Sequence, residues 1–406
     1  SIAFLNYNSS SGFLEDEVSA IAEFGNYNFI FGHNQGISFL RNGKITNVPF
    51  SRFPNFRNTA SRVLDIYNDG KGSLWLASHY MGVAKIDYNG NIKWLKSPDT
   101  LAFSSINKGL NGEIIFATNH GVFTYEKNKF KKYFEPTVYV RKIFNFNEGN
   151  LYYAASNGLY IHSKKSTKFF TIKNNQNASN VFSVFKDSKL GILIGTKAGL
   201  YTTSGDSLIP FTHNGFSISD EVFAINKDYE GKYWFGTSKN LISWDGKNNS
   251  KTYNSKSGLI PGEINRSALF NDSKHKIWIG TELGVSQFNP LFDYQNNHVP
   301  VPIFNGIYNN GSNFITPNKE FNFDSHENNL IFDIRAISFL NENEIEYLYK
   351  LDGYDTAWRK ITQTDLDEII YSKLPSGEYT FQFKARNANG NWSSIISTSP
   401  ITIKSP

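Results

Sequence analysis

The chain of 406 residues contains no cysteine and a single methionine, Met81. Disulfides, thiolate nucleophiles and cysteine-ligated metals are therefore excluded, while the redox compartment stays open. No run of 18 apolar residues occurs, so no segment reads as a membrane-spanning helix. The phosphate-cradling patterns G-x-x-x-x-G-K-[ST] and G-x-G-x-x-G and the zinc-protease pattern H-E-x-x-H are missing. A strong charge imbalance is missing too: 41 basic residues face 36 acidic ones, for a net charge of +5. The basic stretches 127–132 and 164–173 are interrupted by polar and aromatic residues and read as solvated edges, so no nucleic-acid contact is expected. The chain starts at Ser1 without an initiator Met or a signal peptide and reads as a piece of something longer.

Aromatics, by contrast, are plentiful: 35 Phe and 22 Tyr, a composition that favours pleated sheet. They recur inside one phrase, an apolar strand, a turn closed by glycine and a second strand. "IWIGTELGVSQF" is one copy, and aligning all copies on the turn glycine places it at Gly36, Gly82, Gly121, Gly158, Gly199, Asn240 and Gly284. Successive intervals are 46, 39, 37, 41, 41 and 44 residues, the period of a four-stranded propeller blade. Glycine suits a tight turn that needs φ > 0, and asparagine tolerates it, which would account for Asn240. Polar turns such as "NDGKGS" and "KDYEGK" precede each apolar strand, and a further strand precedes those turns. Each unit thus reads as strands a to d, with strand b apolar on both faces between stacked blades.

The seventh unit lacks a clear strand d, and the chain begins with an orphan strand. Residues 2–6 are therefore expected to complete the last blade and close the ring, because an open ring leaves sheet edges exposed. The reading is all-β: a seven-bladed β-propeller over residues 1–298, then an immunoglobulin/fibronectin-like β-sandwich over 299–406. In the second part "GEYTFQFKARNANGNW" alternates with Tyr379, Phe381, Phe383 and Ala385 on one face, a half-buried strand. Further strands are expected at 329–338, 344–351, 368–374 and 396–404. "LPSGEY" before the long strand suggests a tyrosine corner.

The phrases "EYLYKLDGYDTAWRKI" and "IIYSKLPSGEYTFQFKARNANGNW", following seven copies of the glycine-turn phrase, resemble two-component regulator propeller repeats followed by a triple-tyrosine (Y_Y_Y) domain. The matching residues are Tyr347, Tyr349, Tyr354, Trp358, Tyr371 and Tyr379. The resemblance implies an extracytoplasmic sensor of a membrane-bound regulator. Its triple-tyrosine domain would form a homodimer and precede a membrane segment, and the ligand would be an oligosaccharide or another polar molecule in the periplasm. The longest versions carry two propellers, and any kinase would lie outside this chain.

Blade geometry puts the b–c turns and the starts of strand a on one face. His33, Arg62, His79, Tyr80, His120, Arg141, Asn180, Glu221 and Arg266 are the candidate ligand residues at that mouth. His33, His79 and His120 fall on consecutive blades, but tips on a propeller rim diverge, so no metal or other cofactor is expected. "GDSL" (205–208) and "DSKH" (272–275) mimic a hydrolase with Ser207, His275 and Asp272 as its triad. Their places in separate turns of blades five and seven argue against it, so no catalytic residue is assigned. A cell-envelope interaction scaffold is the alternative, and a propeller lyase or hydrolase a minor one.

Overall fold

The structure, a computed structural model, describes residues 3–56, 61–173, 175, 179–293, 299–310, 313–317, 320–338, 345–387 and 392–406. It divides into two compact units, residues 1–293 and 294–406. In the first, the described residues form seven antiparallel four-stranded blades, five as separate sheets and blades seven and one joined into a single eight-stranded sheet by a parallel bridge between Ala20 and Ser267. Blade five shows the plan: strand a Val181–Asp187, b Gly191–Thr196, c Gly199–Ser204 and d Ser207–Pro210. Blade seven supplies strands a to c from Ile264–Asn271, Ile277–Thr281 and Gly284–Phe288. Its strand d is Phe4–Tyr7, paired antiparallel from Phe4 opposite Phe288 to Tyr7 opposite Val285. The N-terminal closure expected from sequence is therefore present, with Ile2 outside the described residues.

The aromatic excess sits between the blades. Going round the ring, the seven interfaces hold Phe24–Tyr88, Trp75–Phe116, Phe134–Tyr153, Phe146–Phe185, Phe185–Tyr233, Trp234–Phe288 and Trp278–Phe29, at centroid separations of 4.5 to 6.2 Å. Each such pair contributes about 0.5–1.5 kcal/mol beyond its area. The polar letters of the phrase have structural jobs. The threonine ending strand b folds its hydroxyl over the turn: Thr118, Thr196, Thr237 and Thr281 donate to the carbonyls of Gly121, Gly199, Asn240 and Gly284. The aspartate of the a–b turn caps its own loop and receives the strand-b tryptophan, as in Asp69–Trp75, Asp228–Trp234 and Asp272–Trp278.

The turn glycine is needed for more than its dihedral. Gly82, Gly121, Gly158, Gly199 and Gly284 have φ between 97° and 152°, whereas Gly36 and Asn240 do not adopt positive φ. A Cβ at Gly36, Gly121, Gly158, Gly199 or Gly284 would lie 2.2 to 2.7 Å from a carbonyl oxygen of the chain passing behind it. Close approach, not turn type alone, selects glycine here. The left-handed turn expected from sequence for Asn240 is therefore absent, since its φ is not positive; Thr237 clasps it from both sides instead.

The second unit is a sandwich. One sheet runs Asn313–Ile315, Val301–Asn309, Leu330–Ile337, Ile369–Tyr371, and the other Phe321–Phe323, Ile401–Ile403, Gly377–Asn387, Ile345–Asp352, Arg359–Thr362. Tyr379, Phe381, Phe383 and Ala385 all point into the core. The Tyr379 hydroxyl donates to the Pro375 carbonyl at 2.8 Å, the expected tyrosine corner. Tyr347 and Tyr371 are buried and Tyr349 is partly so, while Tyr354 is about half exposed. Tyr371 bonds Asp355, whose carboxylate also holds Arg359 at 2.5 Å and the Leu351 amide at 2.8 Å. Lys350 and Lys384 each stand 5.5 Å from the Trp358 ring centre.

Candidate functional site at the propeller mouth

Strand a of blades two to six enters the sheet with a buried residue and then slips by one. Val63 pairs with Ser78 but Asp65 with Ala77, and the same bulge recurs at Ser104, Arg141, Phe182 and Phe223. In blade seven the slip is larger, Ile264 opposite Thr281 but Leu269 opposite Ile279. A bulge re-aims the side chain it displaces. Repeated round a ring, it presents Arg141, Phe182, Phe223 and Arg266 at the start of the central channel. The b–c tips are tied beside them: the amides of His79, Lys197 and Ser238 donate to the carbonyls of Arg62, Asn180 and Glu221.

Arg62 pairs with Glu17 at 2.6 Å and donates to the Asn265 side chain at 2.7 Å. Arg141 donates to the Asn180 side chain at 2.6 Å and lies over the rings of Tyr139 and Phe182. Arg266 stands 5.9 Å from the Phe182 centroid, and Phe182 packs on Phe223 at 4.8 Å. Burial lowers the proton affinity of the Arg266 guanidinium, and Arg141 and Arg62 lower it further, while Tyr139 opposes them. Burial, then Arg62 and Arg266, depress His79. Burial, then Glu282 and Glu221, raise Glu263, while Arg62 and Arg266 oppose them. Cationic and acidic side chains are thus interspersed at the mouth: Glu263 stands three residues from Arg266 in blade seven and feels both Arg266 and Arg62.

Beneath it Lys142 crosses the channel, reaching Ser267 Oγ at 2.7 Å and Asp65 Oδ1 at 3.3 Å. Asp65 also accepts from the Ser105 hydroxyl at 2.7 Å and the Ile106 amide at 3.0 Å. Arg266, Lys142 and Asp65 line a cavity of about 390 Å³ walled by strand a of all seven blades.

The residues expected at the mouth separate. Arg62, His79, Arg141, Asn180, Glu221 and Arg266 gather there, and Tyr80, about half exposed, stacks against His79 at 4.3 Å. His33 does not join them. It occupies the threonine slot of blade one, fully buried, with Nδ1 2.6 Å from the Glu17 carbonyl and Nε2 2.7 Å from Ser38 Oγ. His120 lies one residue past the inward-tied tip position and faces outward, lining a separate cavity of about 350 Å³ with Phe123, Phe130 and Lys132 of strands c and d. Sequence reading missed Tyr139, Phe182, Phe223 and Glu263. The signal for the two phenylalanines was the residue after the buried one that opens strand a ("NVF", "EVF").

The hydrolase mimic comes apart in the same terms. Ser207 opens strand d rather than lying in the c–d turn. Both Asp272 oxygens are engaged, by the Lys274 and Lys276 amides and by Trp278 and Tyr27. The His275 ring stacks on Tyr229 instead of meeting a serine. Among the described residues no group of three or more His, Asp or Glu side chains is placed to hold a metal.

Residues 338–404 match the Y_Y_Y domain model, so the second unit carries that domain. Over its whole length the chain shares its fold with solved extracellular domains. It overlays the extracellular domain described as hybrid two-component system BT3049 of B. thetaiotaomicron with a TM-score of 0.79 at 21% identity, over 99% of this chain and 57% of that one. The extracellular domain of BT4673 from the same organism matches at 0.56 and 15%, over 100% of this chain and 59% of that one. PorZ, a surface component of the type-IX secretion system of Porphyromonas gingivalis, matches at 0.51 and 11%, over 97% and 60%. In sequence, the chain is 27% identical over 240 residues to histidine kinase P4 of Formosa agariphila. That alignment spans 55% of this chain and 17% of the relative, so the chain accounts for less than a fifth of its length.

Proposed function

We propose that this chain is the extracytoplasmic, ligand-sensing region of a membrane-bound signalling regulator, with the propeller mouth as its receptor site and the Y_Y_Y domain as its relay. The observation that carries this reading is the mouth itself: an arginine and two phenylalanines displaced by repeated bulges, with charged and amide side chains beside them, above a cavity of about 390 Å³. Such a set suits a ligand rich in hydroxyls, an oligosaccharide above all. The named relatives support the signalling half of the reading. Binding would act by favouring one pairing of two Y_Y_Y domains, and it can shift that pairing only by its difference in affinity for the two arrangements. On this reading the role is binding rather than catalysis, and the chain works in the periplasm.

Thermal-shift and calorimetric titration against a panel of oligosaccharides, with the molecular mass followed by ultracentrifugation, tests this. A saccharide that stabilises the protein and changes its dimerisation supports it. No saccharide response together with a stably bound envelope protein favours a second reading, a surface scaffold, for which the likeness to PorZ speaks.

A further inference from the structure

Three arginines converge on the mouth from blades two, four and seven, and among the described residues only Arg62 of the three has a carboxylate partner. Among the described residues no ion pair is made by Arg141 or Arg266. Glu263 is close enough for Arg62 and Arg266 to stabilise its charge, yet neither pairs with it. Arg141 is instead held by neutral groups, Asn180 and two aromatic faces. Arg62 keeps its Nε buried and without a partner. Like charges gathered in a half-buried opening repel, and after burial the Arg141 and Arg62 charges each lower the proton affinity of Arg266. A protein that merely needed to fill this space would use apolar residues or paired charges.

We infer that the unpaired arginines of the mouth, Arg141 and Arg266 with Arg62 beside them, are a binding site for an anionic group carried by the ligand, a carboxylate or sulfate on a saccharide. This rests on the sensor reading and narrows it to acidic sugars. The planar guanidinium fork matches a two-oxygen anion in a way an ammonium does not. Among the same residues of the mouth, Glu221, Glu263 and Glu282 offer acceptors to sugar hydroxyls.

The test compares digalacturonate with its dimethyl ester, which has the same sugar skeleton and no charge, and with sodium sulfate against sodium chloride at matched ionic strength. Each is added to the wild-type chain and to Arg266→Met. The acid is expected to raise Tm where the ester does not, and Arg266→Met to weaken acid binding at least tenfold by calorimetry. Because the substitution removes one of three repelling charges, it is expected not to lower the Tm of the free protein; an arginine serving structure alone would lower it. A sulfate response lost in Arg266→Met supports the anion chemistry and points to a sulfated or free oxyanion as its source. Equal responses to acid and ester, or an acid response that survives Arg266→Met, overturn the inference. So does no response to any of the three probes. A neutral oligosaccharide that binds while the acid does not also overturns it and leaves the sensor reading standing. Should Arg266→Met fail to fold, Arg141→Met provides the same readout.

Discussion

The two units solve the burial of polar groups in opposite ways. In the propeller each device is copied: the threonine clasp in four blades, the aspartate–tryptophan bond in three, an aromatic pair at every interface. In the sandwich each device occurs once. Asp355 alone gathers Tyr371, Arg359 and the Leu351 amide, and Glu346 alone gathers Lys360 and Arg386. Stability is spread thin in one unit and concentrated in the other. A single substitution should therefore hurt the sandwich most and an individual blade clasp least.

The largest effect is expected at Phe381, which is fully buried and stacked on Phe332 at 4.1 Å between the two sheets. Phe381→Ala should cost about 3–5 kcal/mol, transfer and cavity together. Hydrogen exchange should quicken throughout residues 345–387 and stay unchanged in the blades. Uniform quickening across both units would break the comparison. Next comes the one part of the propeller that is not copied, its closure. Phe4 is buried against Tyr253 and Phe288 at 5.8 and 4.9 Å. Phe4→Ala should cost about 3 kcal/mol, the low end for a buried phenylalanine because the chain end can relax. Exchange should rise first in the strands of blade seven; protection retained there would show that the ring does not depend on its latch.

His33 tests the comparison within the repeat, since it stands where other blades have threonine. Burial lowers its pKa to about 4 from an ordinary 6.5. The unfolded chain therefore binds the proton more readily, and stability rises with pH between about 4 and 6.5 and is flat above. A separation of about 2.5 units corresponds to on the order of 3 kcal/mol across that window. His33→Thr should flatten the pH dependence of urea midpoints there. An unchanged slope would mean that other groups carry it.

His33 also shows where sequence stopped being legible. The ring of blades, its latch and the alternating strand at Phe381 could be read because spacing and alternation survive without coordinates. A histidine beside a turn reads as a polar tip, and only burial and the bonds to Glu17 and Ser38 reveal it as a substitute for a hydroxyl. Likewise the mouth depends on a one-residue slip in strand a, which leaves no mark on hydrophobic periodicity because the displaced residue can be Arg, Ser or Phe. Arg62, Arg141 and Arg266 were found by residue type. The aromatic neighbours Phe182 and Phe223 were passed over because phenylalanine in a strand reads as core.

The smallest effect belongs to the most repeated contact. Thr196 is buried, donates to the Gly199 carbonyl at 2.9 Å and accepts from the Ala198 amide at 3.0 Å. Thr196→Val keeps the shape and strands those two backbone groups, a cost of about 1–2 kcal/mol for a buried unmet partner. Blade four argues for the lower figure: Ala155 fills the same slot without a hydroxyl, yet Ala155 still pairs with Gly158 and the hairpin is complete. We expect about 1 kcal/mol by urea titration. We also expect Thr118→Val combined with Thr196→Val to cost the sum of the two, because clasps in separate blades share no partner. A combined loss well above the sum would mean that the blades are coupled through their turns, and that the propeller is less divided among its copies than its repeat suggests.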